Sequence, residues 1–261
     1  MARKGLVFGA LIGLLATRSL WGAVAGAIIG LLLDQAAGGG ASAAAPPVSE
    51  VFFRTTFELM GQVAKSDGRV SEAEIDAARK LMQELTQGPE QIAYAIRCFH
   101  AGKSPAYDVD LGVERLREAC GWRHDLLRTF IELQLRAALA GNDVSPPARA
   151  ILTRAAGRLG MSALEFARME AALRARRESG NGDAGGRRGA KPLAACYVEL
   201  EIDESIGDQE LTKAYRRQMS RHHPDKLVAN GLPESMAQMA KEKTQRIQEA
   251  YQQIRAARGM R

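Results

Sequence analysis

The chain has 261 residues, enough for two small domains, and a formal net charge of +6. Its three cysteines, Cys98, Cys120 and Cys196, have no paired spacing, and no C-x-x-C occurs, which argues against zinc-binding or disulfide roles and for buried apolar residues in a reducing compartment. Most of the basic excess lies in one stretch, residues 168–191, with seven basic and three acidic residues. No basic patch is interleaved with aromatics, so nucleic acid is not an expected partner. Neither a phosphate-binding loop nor a hydrolase triad signature is present, so the chain is not expected to be an enzyme.

Residues 5–33 carry a single charge, Arg18. As a helix they would measure about 43 Å against a hydrocarbon core of about 30 Å, so residues 1–34 are expected to be a membrane anchor. The apolar stretch is too long for a cleaved signal peptide. Gly5, Gly9 and Gly13 form one four-residue series, and Gly22, Gly26 and Gly30 form another. Such small-residue stripes let helices approach closely in a bilayer, which suggests a homodimer. The two series are about half a turn out of phase on a continuous helix, and Thr17-Arg18-Ser19 separates them, so a span and a re-entrant hairpin both stand. Arg3 and Lys4 before the segment and Asp34 after it favour a cytoplasmic N-terminus by the positive-inside rule.

Residues 35–47, rich in Ala, Gly and Pro, read as a linker. From 48 to 177 helical periodicity dominates. About seven helices are expected, with breaks near Asp67-Gly68, Gly88-Pro89, 102–107, Gly121, 141–144 and Gly160. Ser71-Glu72-Ala73-Glu74 is a capping box, and Ser145-Pro146 is a second helix start with proline at the first helical position. The string Ala64-Lys65-Ser66-Asp67-Gly68-Arg69-Val70-Ser71-Glu72-Ala73-Glu74 resembles the motif of the TerB-like tellurite-resistance family. Gly141-Asn142-Asp143-Val144-Ser145-Pro146-Pro147-Ala148 occupies the equivalent register in a second half, where Gly141 and Ala148 replace the acidic residues. Asp67, Glu74 and Asp143 are too few oxygen donors for a hard cation, so these motifs are read as turns and caps, with no metal. The domain is expected to bind a client protein or to self-associate. Residues 178–192, with Gly, Arg and Asn, read as a flexible linker.

Residues 193–261 carry the most specific pattern. Leu211, Tyr215 and Met219 recur every four residues, with Asp208 and Glu210 near the start of that helix and Arg221 near its end. Lys213, Arg216, Arg217 and Arg221 lie off the apolar stripe. Pro224 stops the helix. Met236, Met239, Ala240, Ile247, Ala250, Tyr251 and Ile254 mark a second amphipathic helix. A short apolar element at 194–200 closes the hairpin. His222-His223, without carboxylate or cysteine partners, is a poor metal site.

Lys213-Ala214-Tyr215-Arg216 and Gln248-Glu249-Ala250-Tyr251, on either side of His223-Pro224-Asp225, resemble the helix signatures of the J-domain family. The string from His222 to Glu234 is similar to one subfamily, the membrane-anchored DnaJ-like A proteins. Gln218, His222 and Thr244 depart from the usual Leu, Tyr and Phe, and Gly207 stands at the N-cap, where glycine is tolerated. The resemblance implies a co-chaperone: His223, Pro224 and Asp225 would trigger ATP hydrolysis by a cytoplasmic Hsp70 (DnaK), and the basic face Lys213, Arg216, Arg217 and Arg221 would dock on an acidic Hsp70 surface. It also implies a single-pass protein of the bacterial inner membrane with the bulk of the chain cytoplasmic. A hairpin anchor would reconcile that orientation with the basic N-terminus. The expected fold is all-α: a transmembrane segment, a TerB-like bundle and a J-domain helical hairpin. The competing expectation is a TerB-like envelope-stress or metal-responsive scaffold in which the J segment is secondary.

Overall fold

The computed structural model describes residues 45–66, 68, 72–141, 143–181 and 193–260. The expected membrane segment with its glycine stripes (Gly5, Gly9, Gly13, Gly22, Gly26 and Gly30), Asp67, Ser71 and residues 182–192 of the second linker lie outside the described residues, as does the side chain of Glu74, whereas residues 178–181 of that linker continue the preceding helix. Among the described residues no helix is long and apolar enough to cross a membrane. Residues 47–261 form one unit by their internal contacts.

Seven helices build the larger part of that unit: α1 Val48–Ala64, α2 Glu72–Leu85, α3 Gly88–Gly102, α4 Val109–Cys120, α5 His124–Gly141, α6 Pro146–Arg158 and α7 Ala163–Asn181. Their ends are set by local chemistry. Gly88, Gly121 and Gly160 take φ of +83°, +55° and +83°, values that favour glycine and that end or begin helices. Ser145 caps α6 by accepting from the Ala148 amide, with Pro146 at the first helical position. Ser162 and Glu165 form a reciprocal capping box at the start of α7.

α1 runs through the centre. Phe52, Phe57, Leu59, Met60 and Val63 are all buried, so its apolar surface wraps nearly the whole helix. It packs against α3, α4, α5 and α6. Two glycines set the approach of α1 and α3. A Cβ on Gly61 would stand 2.0 Å from the Phe99 carbonyl oxygen, and one on Gly102 would stand 1.8 Å from that of Glu58. Phe52 meets Phe130 of α5 edge to face at 5.8 Å. Gln134 of α5 donates through Nε2 to the Thr56 carbonyl at 2.9 Å, which ties α5 to α1, while its Oε1 is buried without a partner.

The C-terminal part comprises α8 Leu193–Glu199, α9 Asp208–His222, α10 Pro224–Ala229, a 3₁₀ turn at Glu234–Met236 and α11 Ala237–Ala257. Cys196, Tyr197, Leu200, Leu211, Ile247, Ala250 and Ile254 form its own small core. Tyr215 and Tyr251 stack at 4.1 Å. Arg258 closes the far end, donating to the Tyr197 hydroxyl at 2.9 Å and to the Ile206 and Glu204 carbonyls at 2.7 and 2.8 Å. The sequence pattern expects a plain loop between the long helices; α10 stands there instead. Pro224 starts it without losing a needed amide, and Gly231 at φ +108° ends it.

The two parts are not independent bodies on a tether. Leu227, Leu232, Met236 and Ala240, at the loop end of the hairpin, join the large apolar cluster of the seven-helix part. Gln218, His222 and Thr244, the three departures from the J-domain pattern, are all buried, Gln218 and Thr244 bonding carbonyls of their own part and His222 facing Glu132 of α5.

Gly61→Ala and Gly102→Ala are expected to lower stability by roughly 3 kcal/mol or more, because the atoms met are backbone and cannot give way. Gly157→Ala, in a helix where a Cβ meets nothing within 4 Å, should be neutral or stabilising by up to about 1 kcal/mol. Denaturant midpoints of the three variants check both statements.

Candidate functional site

The His-Pro-Asp turn is built by two helices meeting at a proline. α9 ends at His222 because a residue before proline is pushed to extended geometry, and His223 has φ −61° and ψ 123°. Pro224 then takes the first position of α10 and Asp225 lies in its first turn. The His223 carbonyl accepts from the Leu227 amide at 3.0 Å, holding the turn closed. The outcome is a corner that presents His223 and Asp225 to solvent, with Pro224 half-buried.

The basic face divides. Lys213, Arg216 and Arg217 are exposed and have no carboxylate partner among the described residues. Arg221 is half-buried and lies in a seam between the two parts. Its Nε stands 3.6 Å from Asp125 and its Nη1 3.4 Å from Glu201. Asp125, at the start of α5, also accepts from Lys226 Nζ at 2.6 Å. Glu201 in turn accepts from Arg128 of α5 at 2.6 Å. Thus both cations flanking the exposed tripeptide contact the seven-helix part.

Deeper in the seam, Lys243 of α11 bridges Glu132 of α5 at 3.2 Å and Glu199 of α8 at 3.3 Å. Arg246 adds a contact to Glu199 at 3.6 Å. Burial alone would push the Glu132 and Glu199 carboxyls up, but Lys243, with His222 beside Glu132 and Arg246 beside Glu199, holds both below their ordinary range. His222 faces Glu132, Lys243, Glu201 and Arg221, is 4 % exposed, and its Nε2 has no hydrogen-bond partner. Burial pushes its imidazole down to about 4, against the pull of Glu132, so it is neutral at pH 7. In the sequence pattern the one visible sign of this seam was His222, a polar residue at a position where the J-domain pattern has Tyr.

Of the acidic residues of the TerB-like motifs, Asp143 lies among the described residues, whereas Asp67 and the side chain of Glu74 do not. Asp143 stands 3.7 Å from Arg174 Nε, within a network in which Glu170 binds Arg149 and Arg174. Among the described residues no group of three or more His, Cys, Asp or Glu side chains is placed to hold a metal ion.

An exposed His-Pro-Asp corner between two antiparallel helices, joined to a bundle of seven helices, defines a J-domain protein with a helical companion domain. Residues 195–258 match the family description "DnaJ domain", and residues 54–171 match "Tellurite resistance protein TerB". The chain is 41% identical to the co-chaperone protein DjlA of Coxiella burnetii over 224 residues, 84% of this chain and 83% of that protein. It is 36% identical to DjlA of Escherichia coli K12 over 268 aligned positions and 34% identical to that of Salmonella typhimurium over 267, each covering 98% of both chains. No solved structure matches. The chain belongs to the DjlA family of J-domain co-chaperones.

His222 makes stability depend on pH. Between pH 6.5 and about 4 the unfolded imidazole binds a proton that the folded one refuses, so stability rises with pH across that window. Glu132 and Glu199 are held below their ordinary range, so their contribution is constant above about pH 5. Moving from pH 7 to 5 should therefore cost roughly 2 kcal/mol through His222, and His222→Gln should remove most of that loss. Urea midpoints at the two pH values, wild type against variant, measure it.

Proposed function

We propose that this chain recruits a cytoplasmic Hsp70 (DnaK) through the exposed cations of α9 and triggers its ATP hydrolysis through His223, Pro224 and Asp225. The observation that carries the proposal is the pairing of an exposed His223 and Asp225 with three cations, Lys213, Arg216 and Arg217, that have no carboxylate partner among the described residues. Such cations along one helix suit an acidic partner surface, which would steer the encounter and set its orientation. Hydrolysis takes place in the partner, so the chain is not itself an enzyme and needs no cofactor.

Arg221 has a different role from the other three. Held by Asp125 and Glu201, it offers less free charge to an incoming partner. The docking face proposed is therefore Lys213, Arg216 and Arg217, with Arg221 at its rim.

Residues 1–34 anchor the chain in the bacterial inner membrane, with everything after them in the cytoplasm where an Hsp70 and ATP are found. The small-residue stripes of that segment support a homodimer in the bilayer. Confinement to the membrane raises the local concentration of co-chaperone near membrane-associated clients.

Arg216→Glu with Arg217→Glu should slow association with ATP-bound DnaK by about tenfold or more at low salt, and the gap should close as salt is raised. Stopped-flow association at two ionic strengths checks this. A reporter enzyme fused after residue 40 that is active only outside the cytoplasm would contradict the proposed orientation.

A further inference from the structure

Both cations that flank His223-Pro224-Asp225 are held by carboxylates. Arg221, two residues before the tripeptide, lies between Asp125 and Glu201. Lys226, the residue after it, is bound by Asp125 at 2.6 Å. Asp125 belongs to the TerB-type domain, and Arg128 of the same helix fixes Glu201 at 2.6 Å. A single side chain of the companion domain thus spans the two sides of the activating corner.

We propose, on the basis that this chain recruits an Hsp70, that the TerB-type domain acts as an intramolecular restraint on the J domain, with Asp125 as its latch: it neutralises Arg221 and Lys226 and so competes with the acidic docking surface of Hsp70. Three features support this. The latch is acidic, the charge that a docking Hsp70 would also present to these cations, so the two exclude each other on like-charge grounds as well as by occupancy. Asp125 is 28% exposed and Lys226 45%, which leaves the contact open to competition in a way that a sealed ion pair is not. Close by, Leu227, Leu232 and Met236 hold α10 and the turn after it against the large core, so the latch is set at fixed geometry rather than by chance encounter of mobile parts. Gly231 tightens that fit: a Cβ there would come 2.5 Å from Val48 Cγ1 at the start of α1.

The restraint is graded, not absolute. His223 and Asp225 remain exposed, and Lys213, Arg216 and Arg217 remain available for a first encounter. Full engagement then requires the partner to displace Asp125 from both cations. A client or membrane signal that draws the TerB-type domain away would release the J domain to its tighter mode.

The test uses the full chain in detergent micelles and the isosteric variant Asp125→Asn, with Asp125→Ala as a second form. Equilibrium binding to ATP-bound DnaK should tighten about three- to tenfold in both variants at low salt. Backbone hydrogen exchange across residues 223–236 should quicken in the absence of DnaK. Unchanged or weaker binding with unchanged exchange overturns the latch, and weaker binding alone would mean that Asp125 extends the docking surface instead. If wild type and variants all fail to bind DnaK, Hsp70 recruitment itself fails as the function. The latch is then decided by exchange alone, and equal exchange in wild type and variants overturns it.

Discussion

The peptide bond between His223 and Pro224 is the constraint on which the rest of the C-terminal half depends. Proline at that point denies α9 another turn, and the same proline starts α10. The resulting corner does two things at once. It turns His223 and Asp225 outward, and it turns Leu227 inward toward the helical companion domain. A loop without that fixed corner could present the tripeptide or bury the leucine, but it would have no reason to do both.

The seam between the domains divides its labour between apolar and charged groups. Burial of Leu227, Leu232 and Met236 contributes about 1.5–3 kcal/mol each, as an upper estimate. The partly exposed pairs of Asp125 and Glu201 contribute about 0–1 kcal/mol each. Apolar contact therefore holds the domains together, and charge decides how they sit. The deeper set, Glu132, Lys243 and Glu199, is less exposed, at 14%, 15% and 12%. Such a set gains little net energy over apolar packing but is costly to leave half-made, which favours one docked arrangement over its neighbours.

Much of this was legible in the residues. Helix breaks at Gly88, Gly121 and Gly160 come from backbone freedom at positive φ, and the start at Ser145-Pro146 comes from capping, so both could be read locally. The amphipathic stripe of α9 and its proline stop are equally local. What could not be read is contact between segments far apart in sequence. Arg221 belongs by periodicity to the same polar face as Lys213, Arg216 and Arg217, and only the packing of α5 against the hairpin separates it from them. Arg258 belongs to no motif, yet it ties the end of α11 to Tyr197 of α8 and to the loop at Glu204 and Ile206. Gln218 and His222 looked like departures from a generic core; Gln218 is buried against the Leu200 carbonyl within the J domain, and His222 is buried facing Glu132 of the second domain. Gly61 and Gly102 carry no motif, and their role appears only where two backbones touch.

The most direct test of the exposed corner as trigger is single-turnover ATP hydrolysis by purified DnaK with the full chain added, wild type against His223→Gln. Clear stimulation by the wild type and none by the variant is expected, with both proteins equally folded by circular dichroism. Equal stimulation by the two would show that the exposed corner is not the trigger, and would contradict the central claim.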